Sequence, residues 1–208
     1  MSLAVEIIFP IPLVLGALER LAKESPHTRI EMIESVLGGT AEALLQGRTQ
    51  LVVSGQIPPG FIGRSLMRLR IAPTAHPDHP LHQLRRDLTL RDLRAHRHLV
   101  VRDSGSKRTA ASSILEAQQR WTFSHLASSI DAAQRGYGFA WYVQDRIREE
   151  IDRDELKELP LRGGGDRYVE LDFIVADPEG AGPGVLRLAQ LLAEDVAKGC
   201  AKRGVHAQ

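Results

Sequence analysis

The sequence predicts an α/β protein with two lobes, and three observations support this fold class. In the first 55 residues, apolar β-branched runs alternate with helical patterns in the order strand–helix–strand–helix–strand, which is typical of a mostly parallel sheet. The same alternation recurs between residues 99 and 143. Two long extended segments, near 64–75 and 167–176, bracket this second stretch. We therefore expect the chain to leave one lobe, build another, and return.

In the first lobe, apolar β-branched runs predict three strands, at residues 4–9, 29–35 and 50–55. A helix fits between the first two, because Pro12 suits a first turn and apolar residues recur at helical spacing up to Lys23. A second helix fits before the third strand, with Thr40 as a candidate N-terminal cap and Gly47 at its end.

In the second lobe, the predicted strands are residues 99–103, 121–125 and 138–143. Helices are expected in the stretch that leads up to residue 120, over 126–136, and in a charged helix or turn over 143–156. The chain closes with a helix whose first turn holds Pro183. We expect the first lobe to comprise residues 1–72 and 174–208, and the second lobe to comprise residues 73–173.

Composition excludes several classes of function. Of the 208 residues, 43% are hydrophobic and 25% charged, and the net charge of +1 argues against a chain that binds nucleic acid electrostatically as a whole. The basic stretch 64–108 and the acidic stretch 145–160 are interpreted as solvated faces. The single cysteine, Cys200, excludes an internal disulfide, and no apolar run is long enough to span a membrane. Glu6 and two prolines in the apolar N-terminal stretch argue against an export signal, so we expect a cytoplasmic protein.

Three histidines, His76, His79 and His82, raise the question of a metal site, since imidazole is a common zinc ligand. The prolines between them break a helix, so the rings do not share one helical face, and we expect a structural loop and no metal. The segment DSGSKRT has the order Gly-Ser-Lys where a phosphate-binding loop needs Gly-Lys-Ser/Thr, and it lacks the upstream glycine of such a loop. The sequence also has no nucleophile elbow and no zinc-protease motif. We therefore expect no enzymatic activity.

Three segments in the observed order carry a resemblance to a known family. They are LLQGRTQLVV, with Gln50 where Asp is usual; HPLHQLRRDLTLRDLRAHRHLVVRDSGS, which holds a His-Pro-Leu motif and a serine loop; and AAQRGYGFAWYV, with Gly136 and Gly138 in place and Val143 where proline is usual. With these segments the chain resembles the effector-binding domain of the LysR-type transcriptional regulators over about residues 4–195.

The resemblance implies two Rossmann-like lobes joined by two crossing strands, a fold of the type 2 periplasmic-binding-protein kind. It implies a ligand-sensing domain of a bacterial DNA-binding regulator, without cofactor, that binds a small effector between the lobes, plausibly a carboxylate. The partners implied are a second copy, as homodimer or tetramer, and DNA through an N-terminal winged helix-turn-helix that this sequence lacks. A stand-alone solute-binding protein of the same fold is the alternative.

The resemblance also implies an effector site built from the turns that follow the first and second strands, the serine loop and the Gly-x-Gly segment. Hydroxyl groups and the amides of Thr40 and Ser106 are candidate donors to an anion. Ser104 and Thr40 have an alternative role as helix caps, and Trp141 and Tyr142 are expected in the core. The candidate effector-binding residues are Phe9, Pro10, Ile11, Pro12, Leu37, Gly38, Gly39, Thr40, Arg102, Ser104, Gly105, Ser106, Gly136, Tyr137 and Gly138.

Overall fold

The structure, a computed structural model, describes residues 1–106, 115–163 and 165–203. Its strands are β1 (Ser2–Glu6), β2 (Glu31–Ser35), β3 (Leu51–Ser54), β4 (Gly63–Ala75), β5 (Arg97–Val101), β6 (Gln119–Phe123), β7 (Phe139–Val143), β8 (Lys157–Glu158) and β9 (Arg167–Val175). Its helices are α1 (Ile11–Glu24), α2 (Gly38–Leu45), α3 (Pro80–Gln83), α4 (Leu90–Arg94), α5 (Leu126–Gln134), α6 (Arg148–Asp152) and α7 (Pro183–Arg203), with a 3-10 turn at Gln144–Arg146.

The chain divides into two compact units. Among the described residues, the first unit comprises Met1–Leu69, 104–106 and 170–203, and the second comprises Arg70–Asp103 and 115–169. Strands β4 and β9 each begin in one unit and end in the other, so the two predicted crossing strands are confirmed.

In the first unit, β1 pairs in parallel with β2 on one side and β3 on the other, while β9 pairs antiparallel with β3. The mostly parallel sheet predicted for the first 55 residues is thus confirmed. Helix α1 buries Val14, Ala17 and Leu21, which recur at helical spacing, and packs against α7. On the other side of the sheet, Ala4 packs with Ala43 of α2. Burial of such apolar side chains supplies most of the stabilisation of the unit.

In the second unit, β5 pairs in parallel with β6 and β7, and β7 pairs antiparallel with β4. Its core contains Leu81 of α3, Leu93 of α4 and Phe139 of β7. Helix α4 begins with a capping box, in which the Thr89 hydroxyl accepts from the Asp92 N–H and the Asp92 carboxylate accepts from the Thr89 N–H.

Several element boundaries differ from the sequence predictions. The helix expected to lead up to residue 120 falls partly on 107–114, outside the described residues, and β6 already begins at Gln119. The charged stretch after β7 forms the 3-10 turn and the single short helix α6. In the described part of the chain, no helix combines the length and the apolar character that crossing a membrane requires.

Candidate functional site

Polar side chains lie at the carboxyl ends of the three parallel strands of the first unit. Glu6 ends β1, Ser35 lies beside it at the end of β2, and Ser54 ends β3; all three are buried. The Glu6 carboxyl group accepts a hydrogen bond from the Gly55 N–H at 2.8 Å, as a buried polar group requires. We call these strand ends, together with the turns after them, the carboxyl edge of the first unit. In parallel α/β sheets this edge is where ligands bind.

The turn between β2 and α2 has a strained backbone. The Gly39 N–H donates to the Val36 carbonyl at 3.1 Å and closes a four-residue turn, in which Leu37 has φ 50° and ψ −116°. These angles suit the first central position of a type II′ turn, where glycine is usual. A non-glycine residue at such angles costs about 1–3 kcal/mol, and strain of this kind is concentrated at functional sites.

Ser104 holds this turn in place. Its hydroxyl accepts from the Val36 N–H at 2.8 Å and donates to the Val36 carbonyl at 3.2 Å, and its own N–H donates to the same carbonyl at 3.2 Å. Ser104, Gly105 and Ser106 group with the first unit. Ser104 and Ser106 are exposed, and Gly105 is buried. The serine loop is therefore fastened to the carboxyl edge through backbone groups of Val36.

Gly39 allows this close approach. A Cβ atom at residue 39 would lie 2.0 Å from the Ser104 Oγ and 3.1 Å from the Ser104 carbonyl carbon. Neither distance leaves room for a methyl group, so the packing of the serine loop on α2 requires glycine at this position.

Thr40 does not cap α2, contrary to one of its two expected roles. Helix α2 begins at Gly38, so Thr40 lies inside its first turn and Leu37 is the N-cap residue. The Thr40 side chain has no exposed surface; its hydroxyl bonds the Ser35 hydroxyl at 2.7 Å, and its N–H donates to the Leu37 carbonyl at 3.2 Å. The glycine-rich turn starts the helix three residues earlier than a cap at Thr40 would place it.

Glu42 places a carboxylate beside the serine loop. Glu42 lies on α2. One oxygen of its carboxylate accepts from the Ser106 N–H at 2.6 Å, and the other accepts from the Gln46 side-chain amide at 2.9 Å. The hydrogen bonds from Ser106 lower the pKa of Glu42 below its usual range. The Ser106 amide, a predicted anion donor, thus already has an anionic acceptor, which the sequence analysis missed.

The remaining candidates near β1 and β5 differ in exposure. Phe9 is fully buried and its N–H donates to the Glu6 carbonyl at 2.8 Å, while Pro10, buried, precedes the first turn of α1. Pro12 is exposed, and Ile11 is partly so. Arg102 belongs to the second unit, where its side chain is exposed and its N–H donates to the Phe123 carbonyl at 2.9 Å.

The Gly-x-Gly segment does not follow a strand's carboxyl end. It runs from the end of α5 into β7, at the amino end of β7, because His98 of β5 pairs in parallel with Phe139. The Arg97 side chain donates to the Tyr137 carbonyl at 3.0 Å, and a Cβ at Gly138 would lie 2.4 Å from the Arg97 carbonyl.

Gly136, Tyr137 and Gly138 therefore lie beside the start of β5, at the amino ends of the parallel strands of the second unit. The prediction that these three residues contact an effector stays a prediction. The carboxyl end of β7 is instead followed by Gln144, whose side-chain amide donates to Glu158 at 2.6 Å. The sequence analysis missed Gln144 as a polar residue at this strand end, although it directly follows the apolar run of β7.

The histidine loop has a structural role in the second unit. His79 is the N-cap residue of α3, where its Nδ1 accepts from the Leu81 N–H at 3.3 Å, and burial lowers the pKa of His79 to about 4. Pro80 occupies the first turn of α3, which proline tolerates. Among the described residues, no three His, Cys, Asp or Glu side chains are grouped so that they could hold a metal ion.

Comparison with known proteins agrees with the fold. Residues 2–197 match the family model described as the LysR substrate binding domain. The probable HTH-type transcriptional regulator YhaJ of Escherichia coli K12 is 25% identical over 181 residues, which are 85% of this chain and 59% of that protein. This chain thus spans little more than half of that relative's length.

Two solved structures share the fold at low sequence identity. The regulatory domain of CcmR from Synechocystis PCC6803, in complex with 2-PG, has a TM-score of 0.74 at 15% identity, covering 94% of this chain and 96% of that one. The effector-binding domain of QuiR, in complex with shikimate, has a TM-score of 0.70 at 11% identity, covering 95% of this chain and 97% of that one. With two α/β units, two crossing strands and a family match over nearly its whole length, the chain belongs to the LysR substrate-binding domain family.

Proposed function

We propose that this chain is the sensing domain of a LysR-type transcriptional regulator, and that it binds a small acid-bearing effector at the carboxyl edge of the first unit. The observation that carries the proposal is the fastening of the serine loop onto the strained turn between β2 and α2. The serine loop and the turn between β2 and α2 meet at a strand end, where they form a polar surface that a ligand can rearrange. The relative YhaJ bears the name of a transcriptional regulator, and QuiR was solved with shikimate, which carries a carboxylate.

The residues proposed to meet the effector are the exposed or half-exposed members of this edge. Ser104 and Ser106 supply polar groups, and Leu37 and Ile11 supply apolar surface. Phe9 and Thr40 lie beneath the surface and support these residues. An effector that combines an acid group with an apolar part fits this combination. The expectation that the effector lies between the two lobes stays a prediction.

A thermal-shift screen against small organic acids tests this proposal. A ligand at about 100 times its Kd stabilises the domain by about 2.7 kcal/mol, or several degrees in Tm for a chain of this length. The same ligand is then tested on Ser104→Ala and on Ser65→Ala, a control that removes an exposed hydroxyl from β4 of the same unit. We expect the shift to survive in Ser65→Ala and to shrink in Ser104→Ala. An equal shift in both variants would place the ligand elsewhere.

We further propose that the domain associates with a second copy through the outer face of α1. Leu15 on this face is 54% exposed, while the opposite face of the helix is buried in the unit. An exposed leucine on a surface helix gains about 1.5–3 kcal/mol when a partner covers it. Sedimentation of the wild-type domain should show a dimer that Leu15→Glu dissociates. A wild-type monomer at high concentration would contradict this proposal.

The proposed sensing role involves no catalysis and takes place in the cytoplasm, with DNA contacted by a segment outside this sequence. An effector changes the regulator only through a difference in its affinity for two states of the protein. In a longer chain that contains this domain and a DNA-binding segment, operator affinity should therefore respond to the acid found in the screen, and the response should be lost in Ser104→Ala.

A further inference from the structure

Glu42 occupies the Ser106 amide, which the sequence analysis predicted as a donor to an anion. Its carboxylate accepts the Ser106 N–H at 2.6 Å, a short distance that is typical of a charge-assisted hydrogen bond. Ser106 is exposed and Glu42 is only partly buried, so the bond lies at the surface of the first unit. An external carboxylate would approach the same N–H from solvent.

The two acids exclude each other at this amide. One N–H serves one strong acceptor, and two carboxylates at a single donor repel because each carries a negative charge. Glu42 has other partners when it moves away: the Gln46 side-chain amide already donates to it at 2.9 Å, and the positive charge of Arg48 acts on it as well. Its half-exposed side chain has room to rotate towards them.

We propose that Glu42 is an internal competitor of the effector: its carboxylate occupies the Ser106 amide until an external carboxylate displaces it. This inference rests on the proposed function, since it concerns the same site and names the group of the effector that binds there. It makes Glu42 a determinant of affinity, because effectors without an acid group gain nothing by displacing it. In the effector-free form of the domain, the Ser106 amide is therefore bonded to Glu42.

The test uses the Ser106 amide itself and acetate, the smallest stable carboxylate probe, so that it does not require the effector. Hydrogen exchange and the NMR signal of this amide are followed in the wild-type domain, in Glu42→Gln and in Glu34→Gln. Glu34 is an exposed carboxylate of β2 in the same unit, so its variant removes an equal charge without touching Ser106. Sodium chloride replaces sodium acetate in a parallel titration at equal ionic strength.

We expect the Ser106 amide to exchange about ten times faster in Glu42→Gln than in the other two proteins, since the neutral amide oxygen of glutamine accepts more weakly than the carboxylate it replaces. Acetate, and not chloride, should then move the Ser106 signal of Glu42→Gln at a concentration about tenfold lower than in the wild type and in Glu34→Gln. Glu42→Ala, which has no acceptor at all, should exchange at least as fast as Glu42→Gln and respond to acetate at no higher concentration.

Two results would overturn the inference. Equal exchange of the Ser106 amide in all proteins would mean that Glu42 does not hold it. Faster exchange in Glu42→Gln without a response to acetate would mean that the released amide is not a site for an acid group. Both results leave the sensing role itself standing, because that role is judged by the effector screen. A screen that finds no effector would in turn leave the exchange result unaffected.

Discussion

The substitution Gly39→Ala should destabilise the first unit, although alanine is normally the better helix residue. Gly39 lies in the first turn of α2, where the added Cβ would lie 2.0 Å from the Ser104 Oγ, 3.0 Å from the Ser104 Cβ and 3.1 Å from the Ser104 carbonyl carbon. Rotation of the serine side chain relieves the first contact only. The serine loop must therefore move as a whole, and its bonds to Val36 are lost.

The expected cost can be worked out from these contacts. The two hydrogen bonds of the Ser104 hydroxyl with Val36 are worth about 1 kcal/mol each. Overpacking adds roughly 1–3 kcal/mol, and the helix preference of alanine returns at most about 1 kcal/mol. The net loss in unfolding free energy is about 2–4 kcal/mol. Gly16→Ala is the matched control, since a Cβ at this position of α1 would meet nothing closer than 3.6 Å. This variant should gain about 0.5–1 kcal/mol in unfolding free energy.

Urea unfolding of Gly39→Ala, Gly16→Ala, Ser104→Ala and the double variant at residues 39 and 104 measures these terms. Ser104→Ala alone should cost about 2 kcal/mol, because both hydrogen bonds of its hydroxyl with Val36 are lost. Gly39→Ala should cost less in that background, because the contact with the Oγ no longer exists. A Gly39→Ala domain as stable as Gly16→Ala would refute the reasoning, as would strictly additive costs.

Three further predictions concern the second unit and the strained turn. Tyr142→Phe should cost about 1–3 kcal/mol in urea unfolding, because the buried Ser129 hydroxyl loses its partner at 2.8 Å, and adding Ser129→Ala should recover much of this loss. Burial lowers the pKa of His98 from its ordinary value of 6.5 to about 4. As the pH drops below 6.5, the unfolded state takes up a proton that the folded state does not, so the domain becomes less stable. The contribution of His98 to this loss is about 2 kcal/mol at pH 5, and His98→Phe should remove it while the similar contribution of His79 remains. Leu37→Gly should leave urea unfolding within about 1 kcal/mol of the wild type, since relieved strain offsets lost backbone entropy, and a larger loss would contradict the strain at φ 50°.

The strand arrangement was predictable because it depends on patterns that are local in sequence. The extended segment predicted at 63–75 is β4, and the one predicted at 167–176 is β9 with a shift of one residue at its end. Runs of β-branched residues bounded by turns mark such strands whatever surrounds them. The order of strands and helices then favoured a parallel sheet for the first unit, which the pairing of β1 with β2 and β3 confirms.

The contacts of the candidate site were not predictable, because they join residues that are far apart in the chain. Ser104 and Val36 are 68 positions apart, and Ser106 and Glu42 are 64 apart, so no local pattern signals either bond. Thr40 was expected to cap α2, but the hydroxyl of Ser35 offered it a buried partner. The Gly-x-Gly segment lies at the amino end of β7, a position that depends on the pairing of β7 with β5 and not on the local sequence.

The strained turn also sets a scale for the proposed regulation. The backbone groups that an effector would use at this edge are already bonded within the domain: the Val36 amide and carbonyl to Ser104, and the Ser106 amide to Glu42. An effector that merely exchanges these bonds for its own gains little free energy. What remains is the strain at Leu37, about 1–3 kcal/mol, which a ligand recovers only in a state where the turn relaxes. Such a difference corresponds to roughly 5–150-fold in affinity between two states, which is the range that couples effector binding to a distant change in regulators.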